Sequence, residues 1–373
     1  MKITLIGTLP PIKGISEYCI ELANSLSKEM KIDFINFKSI YPNFAYPGGT
    51  KEYDKEFRIQ PNKNLEIRNI LAWYNPFSWI KAGLTLKGQV VHINWWTYYL
   101  FPVFFTILLL CKIRGKKVIF TVHNVVSHES GKIDITCSAI IYKLADHLIV
   151  HSDQNKKTLI RKFGINKNKI SEIPYGPLTF YNKKKITKSE ARRYFKLQKN
   201  QKVILYFGTI RKYKGLDILL KAFRLVLDEK PNTILIVAGE NWINWDPYRK
   251  LINKLKLNKN IILNLNYVPT SKIKYYFTAA DLVVLPYTSF DSQSGVGNLA
   301  LAFNKAIIVS NVGGIPKLVN DKKRVFNGSI NDLVTKIINF IKESNLKKKR
   351  EEKNFNQSWK EIALKTIKLY KDL

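Results

Sequence analysis

The residues best suited to chemistry lie in four short loops. In Gly208-Thr209-Ile210-Arg211-Lys212-Tyr213-Lys214-Gly215, two cations stand three residues apart between glycines. They suit a diphosphate, since Arg211 offers a two-pronged fork and Lys214 a point charge. Two cations in one loop are ordinary in so basic a chain; the glycines and the strand-to-helix position single this loop out. A second loop, 289–298, holds Asp291 and Ser294-Gly295-Val296. Its backbone N–H groups at a helix start can face a second phosphate, and the Asp291 carboxylate suits sugar hydroxyls. In Thr121-Val122-His123-Asn124, His123 ends a strand and can meet a sugar hydroxyl or a phosphate. The plainer reading is a structural hydrogen-bonder. Gly14, in the loop 8–16, lets the backbone approach an anion, and the plainer reading there is a simple turn. His92, His128, His147 and His151 carry weaker signals.

Elements must position these loops. Short β-branched runs at 2–7, 90–94, 118–122 and 148–151 alternate with helical patterns, and the rhythm returns at 203–207, 233–238, 260–265, 281–285 and 306–310. Such alternation predicts βαβ units and parallel sheets. The stretch 174–201, with Pro174, Gly176, Pro177 and clustered cations, marks a boundary. We expect an N-terminal Rossmann-like domain over 1–178, a basic linker over 179–201 and a second Rossmann-like domain over 202–355. A final helix over 356–373 carries Trp359 and Tyr370. In doubly wound sheets ligands bind beyond the carboxyl ends of the strands, where all four loops fall. No GxGxxG or GxxxxGK[ST] occurs, which excludes the dinucleotide fingerprint and the P-loop. Cys19, Cys111 and Cys137 form no CxxC pair, so neither a disulfide scaffold nor a cysteine zinc site is expected.

Taken in order, Pro10-Pro11 with Gly14, Thr121-Val122-His123-Asn124, Ile173-Pro174-Tyr175-Gly176, Gly208 with Arg211 and Lys214-Gly215, Ala279-Ala280-Asp281-Leu282 and Val312-Gly313-Gly314-Ile315-Pro316 resemble the family 4 glycosyltransferases. The resemblance covers nearly the whole chain. It implies the GT-B fold, α/β with two Rossmann-like doubly wound parallel-sheet domains facing across a cleft, the C-terminal helix crossing back to the first domain. It implies a retaining, metal-independent hexosyltransferase with no cofactor beyond its nucleotide-sugar substrate, acting on a glycan or lipid-linked acceptor in surface polysaccharide or glycolipid synthesis. Carried over, Gly14, Gly208, Ser294, Gly295 and Val296 would bind the donor. His123 would face the transferred sugar, Arg211 and Lys214 would hold the departing diphosphate, and Asp291 would join them in catalysis. The absence of Asp-x-Asp fits a metal-free reaction. Two family glutamates eight apart fall here on Asp291 and Leu299, and the phosphate turn resembles a sub-branch with Ser-Gly-Val.

Composition sets the alternatives. Lys and Arg number 62 against 28 Asp and Glu, a net +34 in 373 residues, which calls for an anionic partner. A nucleic-acid-binding protein or a non-catalytic scaffold on the same fold are the other readings, but no nucleic-acid motif accompanies the scattered basic clusters. An anionic membrane surface explains the charge better, with the aromatic and apolar run 95–111 beside Lys112, Arg114, Lys116 and Lys117. That run is too short to span a bilayer and reads as a core or interfacial helix. A cytoplasmic setting, peripheral on the inner face of the cell membrane, follows.

Overall fold

The computed structural model describes residues 1–10, 15–40, 59, 62–126, 131–182, 185–290, 294–346 and 358–373. Its chain divides into two units, Met1–Gly176 with Gln357–Leu373, and Pro177–Asn356.

The first unit is built on β1 (Lys2–Gly7), α1 (Ser16–Leu26), β2 (Lys31–Ser39), β3 (Leu65–Ala72), α2 (Pro76–Leu84), β4 (Val90–Trp95), α3 (Phe101–Ile113), β5 (Lys117–Val122), α4 (Lys132–Leu144), β6 (His147–Val150), α5 (Asp153–Phe163) and β7 (Ile170–Glu172). The strands run parallel in the order β3-β2-β1-β4-β5-β6-β7, so the winding reverses between β1 and β4. Central strands buried on both faces read as continuous apolar runs, which is why β1, β4 and β5 were legible. β2 and β3 escaped that reading because polar residues interrupt them. The fully buried Asp33 of β2 takes a two-pronged ion pair from Arg68 of β3, at 2.7 and 2.6 Å, and a hydrogen bond from Thr4 at 3.0 Å.

The second unit comprises α6 (Lys188–Tyr194), β8 (Lys202–Phe207), α7 (Leu216–Glu229), β9 (Thr233–Ala238), α8 (Asp246–Lys254), β10 (Ile261–Asn264), α9 (Thr270–Ala279), β11 (Leu282–Leu285), α10 (Gly295–Ala302), β12 (Ala306–Ser310), β13 (Val325–Phe326) and α11 (Ile330–Leu346). Its parallel sheet runs β10-β9-β8-β11-β12-β13 and reverses between β8 and β11. The stretch expected as a linker carries α6, opened by a Thr187/Glu190 capping box. Arg192 of α6 holds Asp281 at 2.8 Å, and Lys188 pairs with the same carboxylate.

The aromatic run is mostly core. Trp95, Trp96, Val103, Phe104, Ile107, Leu108 and Cys111 are buried. Among the described residues no helix is long and apolar enough to cross a membrane.

α12 (Trp359–Lys371) closes the first unit's core through Trp359, Ile362, Ala363 and Tyr370. Trp359 sits edge-on to Tyr18, ring centroids 5.4 Å apart. A Cβ at Gly176 would come within 2.5 Å of its ring, so the chain leaves β7 on a residue that makes room for the tryptophan. Trp359→Ala should therefore cost about 3–5 kcal/mol. Urea unfolding is the check, and a loss below ~1 kcal/mol would remove Trp359 from this role.

Candidate functional site

In the second unit the structure gathers Gly208, Arg211, Lys214, Ser294, Gly295 and Val296 at the carboxyl ends of β8 and β11, beside the reversal point. β8 ends at Phe207 and Gly208 turns with φ +98°, where a Cβ would meet Val296 Cγ2 at 2.9 Å and Lys214 Nζ at 3.2 Å. A side chain there would fill the space between the loop and α10. A short 3-10 turn, Lys212–Lys214, then leads into Gly215 at φ +65°, whose absent Cβ would lie 1.9 Å from the Pro286 carbonyl oxygen. Only glycine lets the two loops touch there. The Tyr213 carbonyl accepts the backbone N–H of Thr288 at 2.8 Å, which fastens the turn to the loop after β11.

These constraints bury Lys214 to 7% exposure. Its ammonium donates to Thr209 Oγ1 at 3.2 Å and stands 5.8 Å over the Tyr287 ring. It makes no ion pair among the described residues, so two of its three N–H groups remain for a ligand. Burial, then the neighbouring Arg211 charge, push its pKa down from 10.5 to about 7. Both cations were expected to stand in the open, and Lys214 does not. Arg211 is half-buried, its guanidinium 4.3 Å over the Trp242 ring, which fixes the direction of the fork.

Ser294 caps α10 by accepting from the Gly297 N–H at 3.2 Å, and it lies 3.1 Å from the Tyr287 hydroxyl. The first N–H groups of a helix have no acceptor within it, and the exposed Gly295 leaves that end open. The arrangement is an anion cradle with a buried cation, an oriented guanidinium and a helix start. Leu299 is buried at 5% exposure, so the second family glutamate position here serves packing. Asp291 and Gly14 lie outside the described residues. Trp242 and Tyr287 were not singled out from sequence; the glycine after β9, Gly239, was the available signal for Trp242.

In the first unit His123 follows β5 and is 5% exposed. Its Nε2 lies 3.1 Å from Asn94 Oδ1 at the end of β4, and its Nδ1 lies 3.2 Å from His151 Nε2. Tyr18 stands edge-on at 4.7 Å. Burial, then the charges of His151 and His92, hold His123 well below 6.5. His123 is thus one member of a buried polar chain and was read alone from sequence. Among the described residues no group of three His, Cys, Asp or Glu gathers to hold a metal ion.

Two family models match successive stretches of the chain. The model described as "Glycosyltransferase Family 4" matches residues 12–176, and that described as "Glycosyl transferases group 1" matches 187–357. An uncharacterized glycosyltransferase of Methanocaldococcus jannaschii is 29% identical over 249 residues, covering 61% of this chain and 58% of that protein. A D-inositol 3-phosphate glycosyltransferase of Corynebacterium glutamicum is 27% identical over 188 residues, covering 48% of this chain and 44% of that protein. The chain thus spans roughly half the length of these curated relatives. Among solved structures, Anabaena HepE in complex with UDP and glucose matches over 100% of both chains with a TM-score of 0.75 at 16% identity. The fold is that of the GT-B glycosyltransferases. The chain belongs to the glycosyltransferases that the two family models describe.

The buried ammonium has a consequence for stability. Lys214 titrates near 10.5 in the unfolded chain and about 7 in the folded one. Between those values the unfolded chain holds a proton that the folded chain lacks, so this residue makes stability rise with pH across that window. Lys214→Met should remove the slope and raise the melting temperature at neutral pH by roughly 5 °C. Calorimetry from about pH 6 to 10 checks this; an unchanged slope and melting point would mean that the ammonium is not desolvated.

Proposed function

We propose that the protein is a retaining, metal-independent glycosyltransferase that moves a hexose from a nucleotide-sugar donor to a glycan or lipid-linked acceptor. The observation that carries this reading is the buried Lys214 ammonium, with a single hydrogen bond to Thr209, beside Arg211 and the open start of α10. A buried cation is costly unless an anion answers it. A donor diphosphate supplies that anion. In the reaction an acceptor oxygen bonds to the sugar's anomeric carbon while that carbon's bond to the diphosphate breaks. Negative charge then builds on the departing phosphate, where Lys214, Arg211 and the N–H groups of Gly295 and Val296 stabilise it. The complex of HepE with UDP and glucose, a protein of the same fold, supports a nucleotide-sugar donor. His123 and Asp291 are assigned to the sugar side, and Gly14 to the donor phosphate.

Arg211→Ala and Lys214→Met should each lower turnover by about 10²-fold or more, the scale of losing one preorganised transition-state donor. A panel of nucleoside diphosphates should contain one that raises the melting point of the parent, because a ligand bound only by the folded state stabilises it, and Lys214→Met should lose that response. Full turnover in both variants would overturn the assignment. Activity should persist in excess EDTA.

A second observation favours work at an anionic lipid surface on the cytoplasmic side. The outer stripe of α2 exposes Phe77 at 82%, Ile80 at 42% and Leu84 at 53%, around the exposed Lys81. α3 lies so close that a Cβ on Gly83 would be 2.5 Å from Leu110, and it adds Leu109 and Ile113, the latter 80% exposed. Apolar side chains ringed by cations on a chain of +34 complement anionic lipid. The protein should sediment with anionic vesicles at low salt and be released at high salt, and Phe77→Ser with Ile113→Ser should weaken this at least ~10-fold. Binding that ignores both lipid charge and these substitutions would remove the surface from this role.

A further inference from the structure

The polar chain of the first unit can be counted proton by proton. It runs from the carbonyl oxygen of Ile173 to His151 Nδ1 at 2.9 Å, from His151 Nε2 to His123 Nδ1 at 3.2 Å, and from His123 Nε2 to Asn94 Oδ1 at 3.1 Å. It ends where Asn94 Nδ2 donates to the carbonyl oxygen of Ile6 at 3.0 Å. Asn94, His123 and His151 are all buried, at 0, 5 and 1% exposure. Both ends are carbonyl oxygens, which only accept. Four links therefore need four hydrogens. The Asn94 amide supplies one and two neutral imidazoles supply two more. Turning the amide over moves the deficit to the Ile6 end without removing it. In the neutral state two acceptors face each other at one link.

One added proton completes the chain. His123 then donates from both nitrogens, to His151 Nε2 and to Asn94 Oδ1, while His151 donates to Ile173. Hydrogen bonds from an imidazolium are the stronger kind. The surroundings suit a cation: the Tyr18 ring centroid lies 4.7 Å from that of His123 and 5.2 Å from that of His151, and Tyr175 stands 5.3 Å from His151. The groups facing the pair are Glu17, Tyr18, Cys19 and Glu21 on α1, His92 on β4, Tyr175 after β7 and Tyr370 on α12. Glu17 and Glu21 are the carboxylates whose charge is felt at Tyr175. His92 lies 2.6 Å from each of the Tyr370 and Thr121 hydroxyls, which can donate or accept, so its neutral ring is satisfied.

We propose that His123 and His151 hold one proton jointly at neutral pH, a buried cation at the carboxyl end of the first sheet, and that His151 is the positioning residue that maintains it. Resting on the donor reading above, the role of this charge is to favour a phosphate-bearing ligand over its uncharged counterpart. Burial opposes the proton, pushing His151 to about 4. Two charge-assisted hydrogen bonds and the aromatic faces oppose burial.

Imidazole 15N NMR of the full chain, labelled at histidine and titrated over about pH 6 to 9, tests this without any reaction. Expected are N–H-bearing signals for both His123 nitrogens and for His151 Nδ1 near neutrality, with the two rings titrating at one shared midpoint. Two neutral rings near neutrality would overturn the proposal. Asn94→Leu removes the acceptor at His123 Nε2, so the count closes with neutral rings and the midpoint should fall by at least about one pH unit. An unchanged midpoint also overturns it, and if that variant does not fold the parent spectrum decides alone. His151→Phe should weaken UDP binding about tenfold while leaving uridine binding unchanged, whereas a merely structural residue would move both. Failure of the parent to bind UDP would sink the donor reading and leave the NMR result standing.

Discussion

A parallel strand reaches its neighbour only through a crossover, and on that constraint everything else here depends. Each sheet is covered by the helices that make those crossovers, so its faces become core and only its ends stay open. Where the winding reverses, two crossovers leave in opposite directions and part the loops. In the second unit that point lies between β8 and β11. The Gly208 loop and the start of α10 are the chain segments leaving those two strands. Their meeting follows from the winding order, and only its detail follows from the residues.

Each unit places at this edge a polar group that the fold alone would not choose. Lys214 is an ammonium held in the protein interior by a glycine turn so tight that a Cβ would overlap the Pro286 carbonyl. The Asn94–His123–His151 chain is one hydrogen short when neutral. In both cases the unsatisfied valence is that of a group which favours negative charge nearby. Structures hold such groups when a ligand completes them, and the completed state is the one that functions. Stability at these positions is exchanged for anion affinity, so substitutions there should separate the two properties, unlike those in the core.

Strands with unbroken apolar runs were legible because burial on both faces leaves a simple signature. β2 was not, because Asp33 carries a charge in the core and its partner Arg68 is 35 residues away. No local pattern reveals a pairing made across a sheet. The phosphate-facing residues of the second unit were legible since glycines and cations cluster within one loop. Trp242, which aims Arg211, and His151, which completes His123, were not, because each arrives from a different strand. Sequence spacing shows a loop's contents, and only the winding order shows which loops meet. The basic stretch around 188–193 misled for the opposite reason: its cations answer Asp281 in space.

The net charge of +34 then needs a finer reading than attraction to an anion. With few carboxylates available, many cations are answered by backbone carbonyls. Arg114 donates to the Gly83 and Leu84 carbonyls at the end of α2, at 2.9 and 2.6 Å. Lys305 donates to Thr278 and Ala280 at the end of α9, and the buried Lys116 to Gly88 at 2.6 Å. A helix end gathers unpaired carbonyls and partial negative charge, so cations there stabilise the fold without any partner molecule. These positions account for charge that composition alone assigned to ligands. Lys214 differs from all of them: it is buried, its hydrogen bond goes to a hydroxyl, and neither a carbonyl nor a carboxylate answers it. Specificity for an anion rests on that difference in bonding, and the remaining charge sets how strongly anions and anionic surfaces are drawn toward the molecule.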